Sequence, residues 1–266
     1  PPLIFNLMLE ANLLAQTGEY FRSKLRVASL DGDLFLHSAF PTEEKDAVFL
    51  GPDTYRFARF IKQSLQALQL PTSAATLLHP LRILDVGCGS GAGGVTAVRA
   101  LAAEQPYVLS LNDVNPLALD YAAACAQAAE IPATIVDSDF FAIHNVEFDL
   151  IVANPPYLHD QAARLYRNGG ENLGLDFSIR LVKHALNLLA PGGILLLYTG
   201  VAITSNNDNP LMSALIPELA SDRFHWHYEE LDPDIFSEEL EQPHYKSVNR
   251  IAAVGLRVAR INVMEV

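Results

Sequence analysis

The chain has 266 residues and a mass of 29.1 kDa, room for one large core or a compact domain with a smaller appendage, since domains run to about 100–200 residues. Half of the residues are apolar, and 18 Lys and Arg against 31 Asp and Glu leave a net charge of −13. That balance excludes long-range attraction to nucleic acid or to an anionic membrane, and binding of either would need a local basic patch. The two cysteines, Cys88 and Cys125, lack CxxC spacing, so reduced thiols in a cytoplasmic protein are the expectation. The apolar stretch 194–203 is too short to span a bilayer, and no signal peptide is visible. Because the sequence opens on Pro1-Pro2 rather than Met, an upstream targeting segment or domain is left open.

Residues 1–75 read as a small N-terminal α+β region. A helix is predicted near 4–16, then strands at 26–30 and 34–38 around Asp31-Gly32-Asp33, a hairpin signal. Residues 49–54 lead into an amphipathic helix over 55–70, and 71–75 read as the connection into a main domain, 76–266. From Leu81 onward, short β-rich apolar runs alternate with longer Ala/Leu-rich stretches of helical period. Strands are predicted at 82–86, 108–114, 134–136, 148–153 and 194–199, with helices at 94–103, 116–129 and 175–190. This βαβα rhythm implies a Rossmann-like, mostly parallel sheet with helices on both faces. Strands at 224–230 and 250–258, joined by a long polar loop, complete seven strands and bring in one antiparallel closing strand.

The first strand of that domain ends in Asp85-Val86-Gly87-Cys88-Gly89-Ser90-Gly91, just before a helix. Glycines there let the backbone approach a ligand closely, and the helix start offers free N–H groups, as a nucleotide-type site requires. Gly89-x-Gly91-x-x-Gly94 also fits the dinucleotide pattern GxGxxG, which keeps an oxidoreductase using NAD or FAD open. Asp85 separates the two readings, because a carboxylate before the first glycine repels a pyrophosphate but accepts hydrogen bonds from the cationic end of S-adenosylmethionine. The second strand ends in Asn112-Asp113-Val114-Asn115-Pro116, where an acidic residue can accept two hydrogen bonds from a ribose diol. For Asp113 and Asn115 the alternative is a helix N-cap. After the third strand, Asp139-Phe140 offers an acceptor for an adenine amino group and a ring to lie on it, or else a turn and a core aromatic.

Asn154-Pro155-Pro156-Tyr157 closes the fourth strand, next to the switch point where open α/β sheets bind ligands. An amide or exocyclic amino nitrogen is a poor nucleophile because its lone pair is delocalised into the neighbouring π-system. Hydrogen bonds from that NH₂ group to the Asn154 side-chain oxygen and the Pro155 carbonyl favour a geometry in which the lone pair points at an electrophilic methyl. Tyr157 would stack on the planar group, and the prolines would stiffen the turn.

With these motifs the chain resembles the class I S-adenosylmethionine-dependent methyltransferases, specifically the group with an (N/D)PP(Y/F) motif, whose members methylate amino groups of adenine in DNA, guanine in ribosomal RNA and glutamine in release factors. The resemblance covers about residues 45–258. Val48-Phe49-Leu50-Gly51-Pro52-Asp53-Thr54 is similar to the Pro-(Asp/Glu)-Thr segment of HemK-type release-factor glutamine methyltransferases, whose threonine lies near the methionine end of the cofactor. Residues 166–176, with Gly169-Gly170-Glu171-Asn172-Leu173-Gly174-Leu175-Asp176, are similar to their Gly-Gly-x-x-Gly-(Leu)-Asp segment. The candidate set for S-adenosylmethionine is then Thr54, Asp85, Gly87, Cys88, Gly89, Gly91, Asp113, Val114, Asn115, Asp139, Phe140 and Asn154, with Asn154, Pro155, Pro156 and Tyr157 gripping the acceptor. The implied acceptor is a glutamine side chain of a protein. Leu158-His159-Asp160 follows the motif where the family usually has a Glu, and Gly51 stands where an arginine is common. Those departures keep an exocyclic amine of RNA or DNA as the alternative.

Two loops bear on the acceptor. Residues 158–172 carry Arg164 and Arg167 and either fold over a substrate or form an exposed structureless loop. Residues 229–241 hold Glu229, Glu230, Asp232, Asp234, Glu238, Glu239 and Glu241 without a basic residue, and the topology puts them at the sheet edge of the Asn-Pro-Pro-Tyr motif. Such a rim repels a phosphate backbone and attracts a basic protein surface, or is simply a solvated face. His225-Trp226-His227 alternates as on a strand and has no third metal ligand at suitable spacing, and Cys88, with no adjacent base, reads as a packing residue.

Overall fold

The structure, a computed structural model, describes residues 2–67 and 79–262. Helix α1 (Pro2–Glu10) buries none of its side chains and leads into two hairpins, β1 (Leu14–Thr17) with β2 (Tyr20–Ser23) and β3 (Leu25–Leu30) with β4 (Asp33–Ser38). The helix predicted to reach Gln16 stops at Glu10. Asn12 adopts φ 55°, and Leu14 then pairs with Ser23 around a left-handed Gly18 at φ 62°. The expected second hairpin turns on Asp31 (φ 52°) and Gly32 (φ 94°), a pair of positive φ values that matches the right-handed twist of its strands.

Helix α2 (Pro52–Ala67) follows. Its predicted extension to residue 70, the connection at 71–75 and the proposed domain boundary lie outside the described residues. Although the sequence assigns this helix to the N-terminal region, Phe57, Phe60 and Ile61 are buried in the core of the large sheet, with Phe60 against Gly255. Beyond it come β5 (Leu81–Val86), α3 (Ala92–Arg99), β6 (Tyr107–Asp113), α4 (Pro116–Ala128), β7 (Ala133–Asp137) and β8 (Phe148–Ala153). Then follow a single turn α5 (Glu171–Gly174), α6 (Asp176–Leu188), β9 (Leu189–Thr204), α7 (Pro210–Leu219), β10 (Phe224–Asp232) and β11 (Val248–Arg260).

The large sheet has seven strands in the order β7-β6-β5-β8-β9-β11-β10. All contacts from β7 to β9 are parallel, and β11 runs antiparallel to both of its neighbours. The antiparallel strand therefore sits inside the sheet, and the edge strand β10 resumes the common direction. Strand β9 starts earlier than expected because a register shift absorbs Pro191-Gly192-Gly193 into the pairing with β8. Successive side chains point to opposite faces: Ile83, Leu150 and Leu196 join the core under α2, α3 and α4, whereas Leu84, Ile151 and Leu197 join the core under α6 and α7.

Candidate active site

Parallel pairing of β5 with both β6 and β8 brings the ends of the three strands side by side. They open on one cleft of about 730 Å³. Thr54, Asp85, Gly87, Cys88, Gly89, Asp113, Val114 and Asn115 line it, as do Asp139, Phe140, Asn154, Pro155, Pro156 and Tyr157. Gly91 is the exception. It is the N-cap of α3 at φ 81° and faces Leu111 and Ala122, because its turn has already left the cleft for the core.

At the β5 end, Gly87 (φ 63°) and Gly89 (φ 54°) take left-handed conformations that bend the chain from strand to helix. The Gly94 amide donates to Asp85 Oδ2 at 2.7 Å, and a Cβ on Gly93 would stand 2.9 Å from Asp85 Oδ1. Asp85 is only 2% exposed. Burial pushes its carboxyl up to about 7; the Gly94 hydrogen bond opposes the rise and the charge of Asp113 adds to it. Asp113 accepts from the amides of Gly89 (3.0 Å) and Asn115 (2.9 Å), and burial raises its carboxyl against those bonds. The Cys88 thiol is buried and held well above its ordinary value, in keeping with a packing residue.

Several further residues of the expected cofactor set also hold the fold together. Asn115 caps α4, accepting from the Leu117 amide at 3.1 Å, and donates to the Asp46 carbonyl at 2.7 Å. Asp139 caps a 3-10 turn by accepting from the Phe141 amide at 3.0 Å, leaving its second carboxyl oxygen for other donors. Phe140 is a core ring, packed edge-on to His184 with centroids 4.9 Å apart, and only its margin reaches the cleft.

At the β8 end, the Asn154 carboxamide lines the cleft with no hydrogen-bond partner among the described residues. Tyr157, expected as an open stacking platform, is 9% exposed, because its ring lies over Gly200 and beside Phe236, at a centroid distance of 6.2 Å. Its hydroxyl donates to Asp53 Oδ2 at 2.7 Å, and the Tyr198 hydroxyl donates to Asp53 Oδ1 at 2.7 Å. Arg56 adds a 3.3 Å contact to Asp53 and a 2.6 Å ion pair with Asp232. Sequence reasoning missed Asp53; its only signal was its place beside Thr54 in the Pro-Asp-Thr segment.

The 158–172 loop is neither structureless nor free. Asp160 pairs with Arg164, Arg167 pairs with Glu239, and the Gly169 amide donates to the Leu158 carbonyl at 2.8 Å. Tyr166 stacks on Phe49 (5.5 Å, 13°) and the Leu165 amide donates to the Lys45 carbonyl at 3.0 Å, so this loop and residues 40–49 form one wall of the cleft. Gly169 and Gly174 pack on the backbone of the Asn-Pro-Pro-Tyr turn: a Cβ on Gly169 would lie 2.8 Å from the Pro156 carbonyl, and one on Gly174 would collide with the Tyr157 carbonyl.

The acidic rim is partly neutralised. Glu229, Glu230, Asp232 and Glu239 pair with Arg257, Arg250, Arg56 and Arg167, while Asp234, Glu238 and Glu241 are exposed. His225 and His227 are exposed on the edge strand, and the described residues hold no group of three or more His, Cys, Asp or Glu able to bind a metal ion. No described helix is long and apolar enough to cross a membrane.

A family model, the methyltransferase small domain, matches residues 65–217. A release factor glutamine methyltransferase of Deinococcus radiodurans is 31% identical over 169 residues, 59% of this chain and 55% of that protein. A ribosomal RNA small subunit methyltransferase C of Serratia proteamaculans is 32% identical over 112 residues, 39% of this chain and 31% of that protein. The chain thus spans about half the length of the first relative and a third of the second. Among solved structures, TYW2 of M. jannaschii in complex with AdoMet superposes with a TM-score of 0.55 at 10% identity over 93% of each chain. Trm5b of Pyrococcus abyssi gives 0.55 at 13% identity, over 93% of this chain and 62% of that one. At these identities the likeness concerns the fold.

Proposed function

Because the chain belongs to the methyltransferase small domain family, by a match to more than half of its length, we propose that it transfers a methyl group from S-adenosylmethionine to a planar nitrogen, most specifically a glutamine side-chain amide of a protein. The observation that carries this reading is the meeting of Asp85, Asp113 and the unpartnered Asn154 carboxamide on one cleft of about 730 Å³. The residues fit the cofactor: a buried carboxyl beside a glycine turn suits an ammonium group, a carboxyl on the next strand end suits a ribose diol, and the second carboxyl oxygen of Asp139, at the cleft, suits the amino group of a base. Bound there, S-adenosylmethionine supplies an electrophilic methyl on a sulfonium centre.

The protein's own part is orientation. Asn154 Oδ1 and the Pro155 carbonyl accept both N–H bonds of the acceptor NH₂ group, which turns the nitrogen lone pair toward the methyl and stabilises the positive charge that grows on nitrogen until one of its two protons is released to solvent. Gly169 and Gly174 support that turn from behind. Residues 40–49 and 163–168 wall the cleft and limit water.

The release-factor relative and the overall charge of −13 favour a protein acceptor. An exocyclic amine of RNA is the second reading, favoured by the ion pairing of four rim carboxylates and by the ribosomal RNA methyltransferase relatives. Incubation with labelled S-adenosylmethionine and cell extract decides between them. Label removed by protease but not by RNase or DNase is expected, and removal by RNase would shift the assignment to RNA. Thermal stabilisation by NAD or FAD rather than by S-adenosylhomocysteine would overturn both.

A further inference from the structure

Asp53 stands at the second position of α2, a hundred residues before the Asn-Pro-Pro-Tyr turn, yet it is 6% exposed and accepts the Tyr157 hydroxyl at 2.7 Å. Its other oxygen accepts Tyr198, and Arg56 contributes a charge at 3.3 Å that is shared with Asp232. The ring of Tyr157 is packed in the position that makes this bond. A Cβ at Gly200 would overlap the ring, so β9 presses on it directly, and Phe236 borders it at 6.2 Å. A hydrogen bond to a carboxylate is shorter and about twice as strong as one between neutral groups. Tyr157 is thereby fixed at three points: its backbone, its ring and its hydroxyl.

We propose that Asp53 is a positioning residue for methyl transfer, holding Tyr157 and, through it, the turn that presents Asn154; this rests on the methyl-transfer reading of the cleft. Asp53 acts through Tyr157, and the two oxygens divide its work. Oδ2 serves the transfer motif, whereas Oδ1 serves Tyr198, a buried residue of β9 that does not line the cleft. Tyr198 therefore provides a control that removes a hydroxyl from the same carboxylate without touching the motif.

The test compares D53N, Y157F, the double variant and Y198F. For each, the initial rate of label transfer from S-adenosylmethionine into cell extract, the KM for S-adenosylmethionine, the affinity for S-adenosylhomocysteine and Tm are measured. D53N and Y157F are each expected to lower the maximal rate about 10- to 100-fold, the cost of a displacement near 1 Å at a reacting centre. KM for S-adenosylmethionine and S-adenosylhomocysteine affinity should not move, and the double variant should be no slower than the slower single variant. Y198F should lower Tm while keeping the rate. Fluorine NMR of 3-fluorotyrosine at position 157 reports the tether without catalysis: D53N should move the resonance toward that of free fluorotyrosine, and Y198F should not. A wild-type rate in D53N, multiplicative losses in the double variant, or a rate loss in Y198F equal to that in Y157F would overturn the role of Asp53. Wild-type protein that binds no S-adenosylhomocysteine would instead overturn the methyl-transfer reading itself.

Discussion

At the end of the cleft formed by β5 and β6, most polar groups find their partners within their own turn or the adjoining one: Asp85 bonds Gly94, nine residues on, Asp113 bonds Asn115, two residues on, and Gly89, 24 residues back, and only Asn115 reaches further, to Asp46 across 69 positions. At the β8 end the partners come from far away. Tyr157 bonds Asp53 across 104 positions, Tyr198 reaches the same carboxylate across 145, and Phe49 stacks on Tyr166 from the far side of the sheet sequence. The first end is made mainly by two strand-to-helix turns and by the bond between them, from the Gly89 amide to Asp113. The second exists only once the sheet has assembled. Substitutions at the first should therefore change ligand binding with little cost to the fold, and substitutions at the second should change turnover, with a stability cost wherever packing rather than a free side chain is altered.

Asn154→Ala carries the largest expected effect. Its carboxamide has no partner among the described residues, so its loss should leave Tm and S-adenosylhomocysteine affinity near wild type while lowering transfer by about 10²–10³-fold, the usual cost of deleting one group that stabilises developing charge. Transfer at the wild-type rate would remove Asn154 from the proposed chemistry.

Next is a matched pair of glycines. Gly174 (φ 89°) has the carbonyl of Tyr157 and the backbone of Leu158 where a Cβ would go, while Gly87 (φ 63°) has nothing within 4 Å. Gly87→Ala should cost only the strain of a left-handed residue, about 1–2 kcal/mol. Gly174→Ala adds a backbone collision and should cost about 3 kcal/mol or more, with transfer falling alongside. Urea unfolding measures both. Equal midpoints for the two variants would break the contrast between a turn that is merely bent and one that is buttressed.

Asp113→Ala should act at the other end and more mildly. Losing a carboxylate that accepts two hydrogen bonds from a diol should weaken S-adenosylhomocysteine binding about 10- to 100-fold, with the maximal rate at saturating cofactor retained. A fall in the maximal rate with unchanged affinity, measured by calorimetry, would reverse the proposed division of the cleft.

The same division explains what the sequence disclosed. The strand over 148–153 coincides with its prediction because an apolar run is stopped on one side by Asn154 and two prolines and on the other by a polar segment. Asp85, Asp113 and the intervening glycines were legible as a unit because strand, turn and helix follow in order. Strands β1 and β2 were not, since no residue of either is buried and no alternation records their pairing. Helix α7 escaped notice for another reason: Pro217 lies within it and its composition is apolar on most sides, so neither period nor propensity marks it. Asp53 and the buttressing glycines depend on which strands become neighbours, and that information is spread over residues from α2 to β9.

The smallest effect concerns protonation of Asp85. Its folded-state carboxyl lies at about 7 against 3.8 for the free group, chiefly through burial. Between those values the folded protein holds a proton that the unfolded chain has lost, so this group's contribution to stability is fully present below pH 3.8, falls as pH rises, and is gone above about 7. Ligand binding has the opposite sense. An ammonium group beside Asp85 favours the ionised carboxylate, so its arrival near pH 6 should release close to one proton, and affinity should drop by about tenfold for each pH unit below 7. Calorimetry of S-adenosylhomocysteine in buffers of different ionisation enthalpy reads the proton directly. Asp85→Asn should abolish both the release and the slope, leaving a weaker, pH-independent affinity; a slope that persists in this variant would place the titrating group elsewhere and leave Asp85 as a brace for the Gly94 amide alone.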